Sequence, residues 1–214
     1  EHGTPWSELE AEMREMARGD IDWRAGKAAV YVFNAGEEVA RVQKEAYALF
    51  QSENGLGPLA FPSLSRMEGE IVEMALGLLH GPPGAVGNVT SGGTDSITMA
   101  IKACRDRARQ DGKSGALNVV VPRSAHPAFD KAGWLMDIEV RRAPIAEHTY
   151  LADPSTLCRA IDEHTILIAG SAPCFPFGLV DALPHLAVVA LETGVWVHVD
   201  ACVGGVFAPL GGRL

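Results

Sequence analysis

Apolar positions recur first at helical spacing and later in short unbroken runs. Leu9, Met13 and Met16 share one helical face, and Ser7 with Glu10 has capping-box spacing, so a first helix is expected there. Asp20 to Val32 mixes Gly, Trp and alternating apolar residues and reads as a connection. Val39, Val42, Ala46, Leu49 and Phe50 define a second amphipathic helix from about Gly36 to Phe50. The stretch Gln51 to Pro62 is rich in Gly and Pro and should be a loop. Ser65 and Glu68 repeat the capping spacing, and Met67, Ile71, Ala75, Leu78 and Leu79 predict the buried stripe of a third helix. Gly81-Pro82-Pro83-Gly84 stops it.

Beyond that stop the period changes. Leu117–Val121, Ile138–Arg142, Thr165–Gly170 and Val195–Val199 are Val/Ile-rich runs of strand length. Helical stretches separate them at about Thr94–Gln110, Pro127–Leu135, Pro154–Asp162 and Ala182–Thr193. Strands alternating with helices predict an α/β fold with a mostly parallel sheet covered on both faces. Val206 to Leu214 is Gly-rich and follows the last strand with no closing helix in the pattern, so the chain is expected to stop inside a domain.

Composition narrows the partners. Apolar residues make up 47% of the 214 and charged residues 21%, as in a well-packed globular protein. The net charge of −9 argues against nucleic acid, whose phosphates are held by clustered Lys and Arg. A small anion remains compatible, because backbone dipoles can bind phosphate locally. Cys104, Cys158, Cys174 and Cys202 lie far apart, which suits reduced thiols in a cytoplasmic protein. No apolar run approaches the roughly 18 residues of a membrane span, and Glu1 to Trp6 lacks the basic start of a secretory signal.

Four segments could carry chemistry. The first is Val89-Thr90-Ser91-Gly92-Gly93-Thr94-Asp95-Ser96, leading straight into a helix. Two glycines admit a ligand close to the backbone, and first-turn amides with the Thr94 hydroxyl can hold phosphate. A plain turn with Thr94 or Ser96 as N-cap suits the same residues. The second is Val197-His198-Val199-Asp200-Ala201-Cys202. A carboxylate at the carboxyl end of an apolar strand is costly unless paired with a cation, whether a protonated pyridine nitrogen, a metal or an arginine. Asp200 as a helix cap is the bland alternative.

The third, Ser124-Ala125-His126-Pro127, puts His126 at a strand-to-helix crossing on the ligand side of the sheet, where capping or surface exposure would also suit it. The fourth is Ser171 to Gly178, a loop fixed by two prolines, in which Cys174 reads as a packed thiol. His2, His80, His148, His164 and His185 lie near element ends or on helices and read as structural or solvated.

Taken in order, these segments resemble the sphingosine-1-phosphate lyase family and, more distantly, the group II pyridoxal-phosphate decarboxylases. The matching residues are Gly26 with Ala28 to Tyr31, Phe61-Pro62, Met67 to Glu70, Thr90 to Ile97, Ala125-His126, Phe129 with Lys131-Ala132, and His198 to Gly205. The resemblance implies a fold-type I large domain over residues 87–214, preceded by a helical segment over 1–86. It implies pyridoxal 5'-phosphate as cofactor, with Ser91, Gly92, Gly93 and Thr94 at its phosphate. His126 would stack on the ring, Asp200 would pair with the ring nitrogen, and His198 and Cys202 would lie in or behind the pocket. Asn54 matches a family asparagine near the substrate, and no metal is implied.

Two departures stand out. The family segment Asn-Pro-Leu-His reads Asn54-Gly55-Leu56-Gly57 here, so a catalytic family histidine falls on Gly57. The family's cofactor-bearing lysine lies in an Asp-x-His-Lys context beyond His-Val-Asp-Ala-Cys. None of Lys27, Lys44, Lys102, Lys113 or Lys131 has that context, so the chain is expected to be part of a longer enzyme.

The implied reaction is retro-aldol cleavage of a phosphorylated sphingoid base, a phosphorylated amino alcohol, to a long-chain aldehyde and phosphoethanolamine, in a homodimer. An amino-acid decarboxylase is the alternative, and Cys202 speaks against it, since those enzymes usually have an aromatic or small residue there. A metal hydrolase built on His198 and Asp200 lacks a third ligand at short spacing. A phosphate-binding module without catalysis leaves Asp200 unexplained.

Overall fold

Four parallel strands form one sheet, and each is followed by a helix. A computed structural model describes residues 3–28 and 32–211. Ala29, Val30 and Tyr31, which carry part of the resemblance, lie outside the described residues, as does His2. The chain divides into two compact units, Glu1–Leu64 and Ser65–Leu214.

The first unit holds α1 (Trp6–Met16), a short 3-10 turn at Ala17–Gly19, and α2 (Glu37–Phe50). Pro5, not Ser7, is the N-cap of α1, and no side chain caps it. A proline just before a helix presets φ for the first turn, which is why the helix starts earlier than the Ser7–Glu10 spacing suggests. Neither α1 nor α2 has a buried residue. α3 spans Pro62–Leu78, so Ser65 lies inside its first turn and is no cap either. The expected buried stripe on α3 is also corrected. None of its residues is fully buried, and Ile71 is 54% exposed.

The second unit continues with α4 (Gly93–Gln110), β1 (Asn118–Pro122), α5 (Ala128–Met136), β2 (Glu139–Ala143) and α6 (Pro154–Arg159). β3 (Thr165–Ser171), α7 (Leu183–Thr193), β4 (Trp196–Asp200) and α8 (Gly204–Leu210) complete it. α8 corrects the expectation that no helix follows the last strand. It forms despite Gly204, Gly205 and an internal Pro209. Its start is fixed by tertiary contact: Gly204 N–H donates to the Ala172 carbonyl at 2.9 Å, and a Cβ on Gly204 would lie 2.2 Å from that oxygen.

The sheet order is β2-β1-β3-β4, every pair parallel. β1 and β3 are buried along their whole length. Alternate residues feed two cores. Val119, Val121 and Leu167 pack with Ile97 and Ile101 of α4 and Phe129 of α5, while Val120 and Ile168 pack with Leu157 of α6 and Leu186 of α7. The result is a three-layer α/β/α unit. Successive crossovers leave β1 on opposite sides, toward β2 and toward β3, so the chain reverses its winding there. In such sheets ligands bind beyond the carboxyl ends of the strands, at that switch point.

At the opposite pole, buried Asn118 donates from Nδ2 to Asp162 Oδ1 at 2.9 Å, and Thr165 Oγ1 donates to Asn118 Oδ1 at 2.8 Å. Arg141 pairs with Asp162 at 2.6 Å. That guanidinium, with the Asn118 amide, holds the Asp162 carboxyl well below the usual carboxylate range.

Candidate cofactor pocket

The carboxyl ends of β1, β3 and β4 deliver the side chains that sequence reasoning singled out. β4 exits at Asp200, and Asp200 is paired in register with Ser171 of β3. The Asp200 carbonyl accepts Ala172 N–H at 2.8 Å, which fixes the strand end. Alternation puts His198 on the same face as Asp200, and the His198 ring meets the buried Phe129 ring edge-on at 5.8 Å. Burial pushes the His198 imidazole below its ordinary pKa, and the nearby Asp200 charge opposes part of that shift. Asp200 caps no helix, since Val203 is the N-cap of α8 and no side chain bonds there.

The glycine-rich turn opens α4. Gly92 is the N-cap at φ 158°, ψ 172°, a conformation that suits glycine, and no side chain caps the helix. Thr94 and Ser96 lie within the helix and are not caps. An added Cβ would meet nothing within 4 Å at Gly92 or at Gly93, so open space lies over the first-turn amides. The turn is braced from within. Thr90 and Ser96 share a hydroxyl hydrogen bond at 2.6 Å, and Asp95 Oδ2 accepts Ser91 N–H at 3.2 Å and Ser91 Oγ–H at 3.1 Å.

A cavity of about 560 Å³ joins the two features. Gly93 and Ser96 line it on one side, and His198, Asp200 and Cys202 on another, while α3 supplies apolar wall through Met74 and Leu78. The volume suits a small cofactor. The donor set fits pyridoxal phosphate chemically: amides at an uncapped helix N-terminus for a phosphate, and a carboxylate at a strand end for a protonated ring nitrogen.

His126 leaves β1 half-buried beside this region but does not line the cavity. Its Nδ1 accepts Ala128 N–H at 3.0 Å, which leaves the proton of the neutral ring on Nε2. Its ring lies edge-on to Phe175 at 6.2 Å, so the exits of β1 and β3 meet there. Ser91, Gly92 and Thr94 adjoin the lining residue Gly93 without lining the cavity themselves. Asn54 lies in the first unit, where its Oδ1 accepts Leu56 N–H at 3.1 Å. None of the five lysines lines the cavity; Lys113 reaches the Thr165 carbonyl, at the other pole of the sheet.

Sequence reasoning passed over Ser96 as a lining residue, the α3 wall, and Asp181. Asp181 is buried, its Oδ2 accepts Ser171 N–H at 2.8 Å, and burial pushes its carboxyl upward. The signal available for it was an acid inside the apolar run Gly178 to Leu183. Cys174 is 1% exposed and packed, while Cys202 is exposed at the cavity. Among the described residues, no group of three or more His, Cys, Asp or Glu side chains is arranged to hold a metal ion.

The family model described as "Pyridoxal-dependent decarboxylase conserved domain" matches residues 14–210. The sphingosine-1-phosphate lyase of Drosophila melanogaster is 39% identical over 189 residues, which covers 88% of this chain and 35% of the relative. The solved sphingosine-1-phosphate lyase of Burkholderia pseudomallei superposes with a TM-score of 0.92 at 38% identity, over 99% of this chain and 50% of that one. The glutamate decarboxylase of Lactobacillus brevis superposes at 0.81 with 21% identity, over 98% of this chain and 50% of that one, a likeness of fold. The chain thus spans about a third of the length of the curated relative and half that of the solved ones.

Proposed function

The chain belongs to the pyridoxal-dependent decarboxylase family, and from that premise we propose that it builds the cofactor pocket of a carbon–carbon lyase acting on phosphorylated sphingoid bases. The products are a long-chain aldehyde and phosphoethanolamine. The observation that carries the reading is the single cavity shared by the uncapped start of α4, at Gly93, and the carboxylate of Asp200. The identities to lyases from Drosophila melanogaster and Burkholderia pseudomallei support the substrate class.

Pyridoxal phosphate, when bound, supplies an electron sink for the pair released as a substrate carbon bond breaks. The chain's residues set up that chemistry. Ser91, Gly92, Gly93 and Thr94 present backbone amides and hydroxyls to the phosphate. The Asp200 carboxylate would hold a proton on the ring nitrogen, and His126, beside the cavity, would cover a face of the ring. His198, whose pKa burial lowers, and Cys202 shape the floor. The apolar wall from α3, through Met74 and Leu78, suits an aliphatic chain.

Amino-acid decarboxylation is the competing reaction, since it draws on the same pocket. The two differ in the bond cleaved: a lyase acts on a C3 hydroxyl, a decarboxylase on a C2 carboxylate. Cys202 and the lyase identities favour the former. The holoenzyme is expected to release fatty aldehyde from a phosphorylated sphingoid base, and little CO2 from aromatic or acidic amino acids. Robust CO2 release with no aldehyde would overturn the lyase assignment. The reading includes a homodimer, supported by the exposed apolar residues Trp6, Met13 and Val42, and a cytoplasmic location, supported by four free thiols. No helix among the described residues is long and apolar enough to cross a membrane.

A further inference from the structure

Arg142, on the outer strand β2, reaches across to the turn that follows β1. Its Nη1 donates to the carbonyls of Pro122 and Arg123, each at 3.2 Å, and of Ala125 at 2.9 Å. Its Nη2 donates to the His126 carbonyl at 3.3 Å. The same guanidinium grips α5 through Asp130, with Nε to Oδ1 at 3.1 Å and Nη2 to Oδ2 at 2.6 Å. All three guanidinium nitrogens are engaged, and four of the acceptors are consecutive or near-consecutive carbonyls of one turn.

Carbonyl dipoles that converge on one point repel one another unless a cation sits among them. A planar fork with five N–H groups suits that arrangement, whereas an ammonium offers three donors from a single point. The neighbouring Arg141 turns away to Glu139 and Asp162, so the clamp belongs to Arg142 alone of the pair.

We infer that Arg142 is a positioning residue that fixes the Pro122–His126 backbone and so holds the His126 imidazole at one orientation for stacking on the cofactor ring. The inference rests on the reading of His126 as the ring's stacking partner. Backbone ties hold both ends of the turn: Arg123 N–H donates to the Ala143 carbonyl of β2 at 2.8 Å, Ala125 N–H to the Pro122 carbonyl at 3.0 Å, and Phe129 N–H to the His126 carbonyl at 3.2 Å, beside the His126 Nδ1 bond to Ala128 N–H. Only the first reaches β2, and it lies three residues before His126. Arg142 adds the side-chain link from β2 to the carbonyls of Ala125 and His126 themselves, so its loss leaves the imidazole on a turn tied to β2 at Arg123 alone.

The test is a double-mutant cycle on the holoenzyme with Arg142→Gln, His126→Ala and their combination. Its readouts are the pyridoxal phosphate dissociation constant and the visible circular dichroism per bound cofactor at saturation. Arg142→Gln is expected to raise the dissociation constant about tenfold and to diminish the dichroism, with Arg142→Lys recovering little of either. In the His126→Ala background, Arg142→Gln should add less than about twofold, because both residues act through one ring.

An equal factor in both backgrounds, or dichroism unchanged by Arg142→Gln, would make Arg142 a merely structural residue and overturn the inference. If His126→Ala alone leaves both readouts at wild-type values, the stacking reading itself fails, and the inference falls with it. Should Arg142→Gln not fold, Arg142→Lys, which keeps a cation beside Asp130, carries the same comparison.

Discussion

The half-buried His198 imidazole packs edge-on against Phe129. Burial lowers its pKa relative to the unfolded chain. Between the ordinary histidine value near 6.5 and the lower folded value, the unfolded state takes up a proton that the folded state refuses. The stability associated with neutral His198 is therefore complete above about pH 6.5 and declines as pH falls through the folded value. Urea unfolding of wild type and His198→Gln at pH 8 and pH 5.5 should show the wild type losing more stability on acidification than the variant. Equal losses would show that burial does not lower the His198 pKa.

Single residues differed in how readable they were. Asp200 stood out because a carboxylate at the end of an apolar strand demands a partner. Arg142 did not, because its acceptors are backbone carbonyls, which no side-chain pattern displays. The capping pairs at Ser7 and Ser65 misled for a different reason: the spacing recurs by chance in Glu-rich helices, and the prolines at 5 and 62 mark the true starts.

At the scale of elements, the four strands and the helices between them follow the sequence pattern to within a residue or a few, because the central β1 and β3 are runs rich in Val, Ile and Leu that must be covered on both faces, and the helices between are set by their own periodicity. α8 was illegible, since Gly204, Gly205 and Pro209 disfavour a helix and the contact to Ala172 that anchors it is tertiary. The α3 stripe was legible as a pattern but not as burial, since periodicity reveals a face and not what covers it.

The polar pin between β1 and β3 yields an element-scale test. Asn118 is fully buried, and replacing it with Ala leaves the Thr165 hydroxyl and the Asp162 carboxylate each short of a partner. Asn118→Ala should cost about 1–3 kcal/mol by urea unfolding. Since Asn118 begins β1 and His126 follows its end, the pyridoxal phosphate dissociation constant should stay within about twofold of wild type. A large loss of cofactor affinity without loss of stability would place Asn118 in the wrong pole.

Over the whole molecule the division of labour follows the direction of the strands. The amino ends carry the buried Asn118–Thr165–Asp162 network that locks the sheet, and the carboxyl ends carry the groups assigned to chemistry. One pole can be rigid and inert while the other stays open because parallel strands expose all their carboxyl ends on one side. The α4 start and Asp200 are expected to clasp the two ends of one pyridoxal phosphate, and a crystal structure of the protein with that cofactor bound is the test. Its phosphate is expected on the amides of Gly93 and Thr94, its ring nitrogen within hydrogen-bonding distance of the Asp200 carboxylate, and the His126 imidazole against the ring face. Cofactor density away from that turn, or a ring nitrogen with no contact to Asp200, would contradict the account.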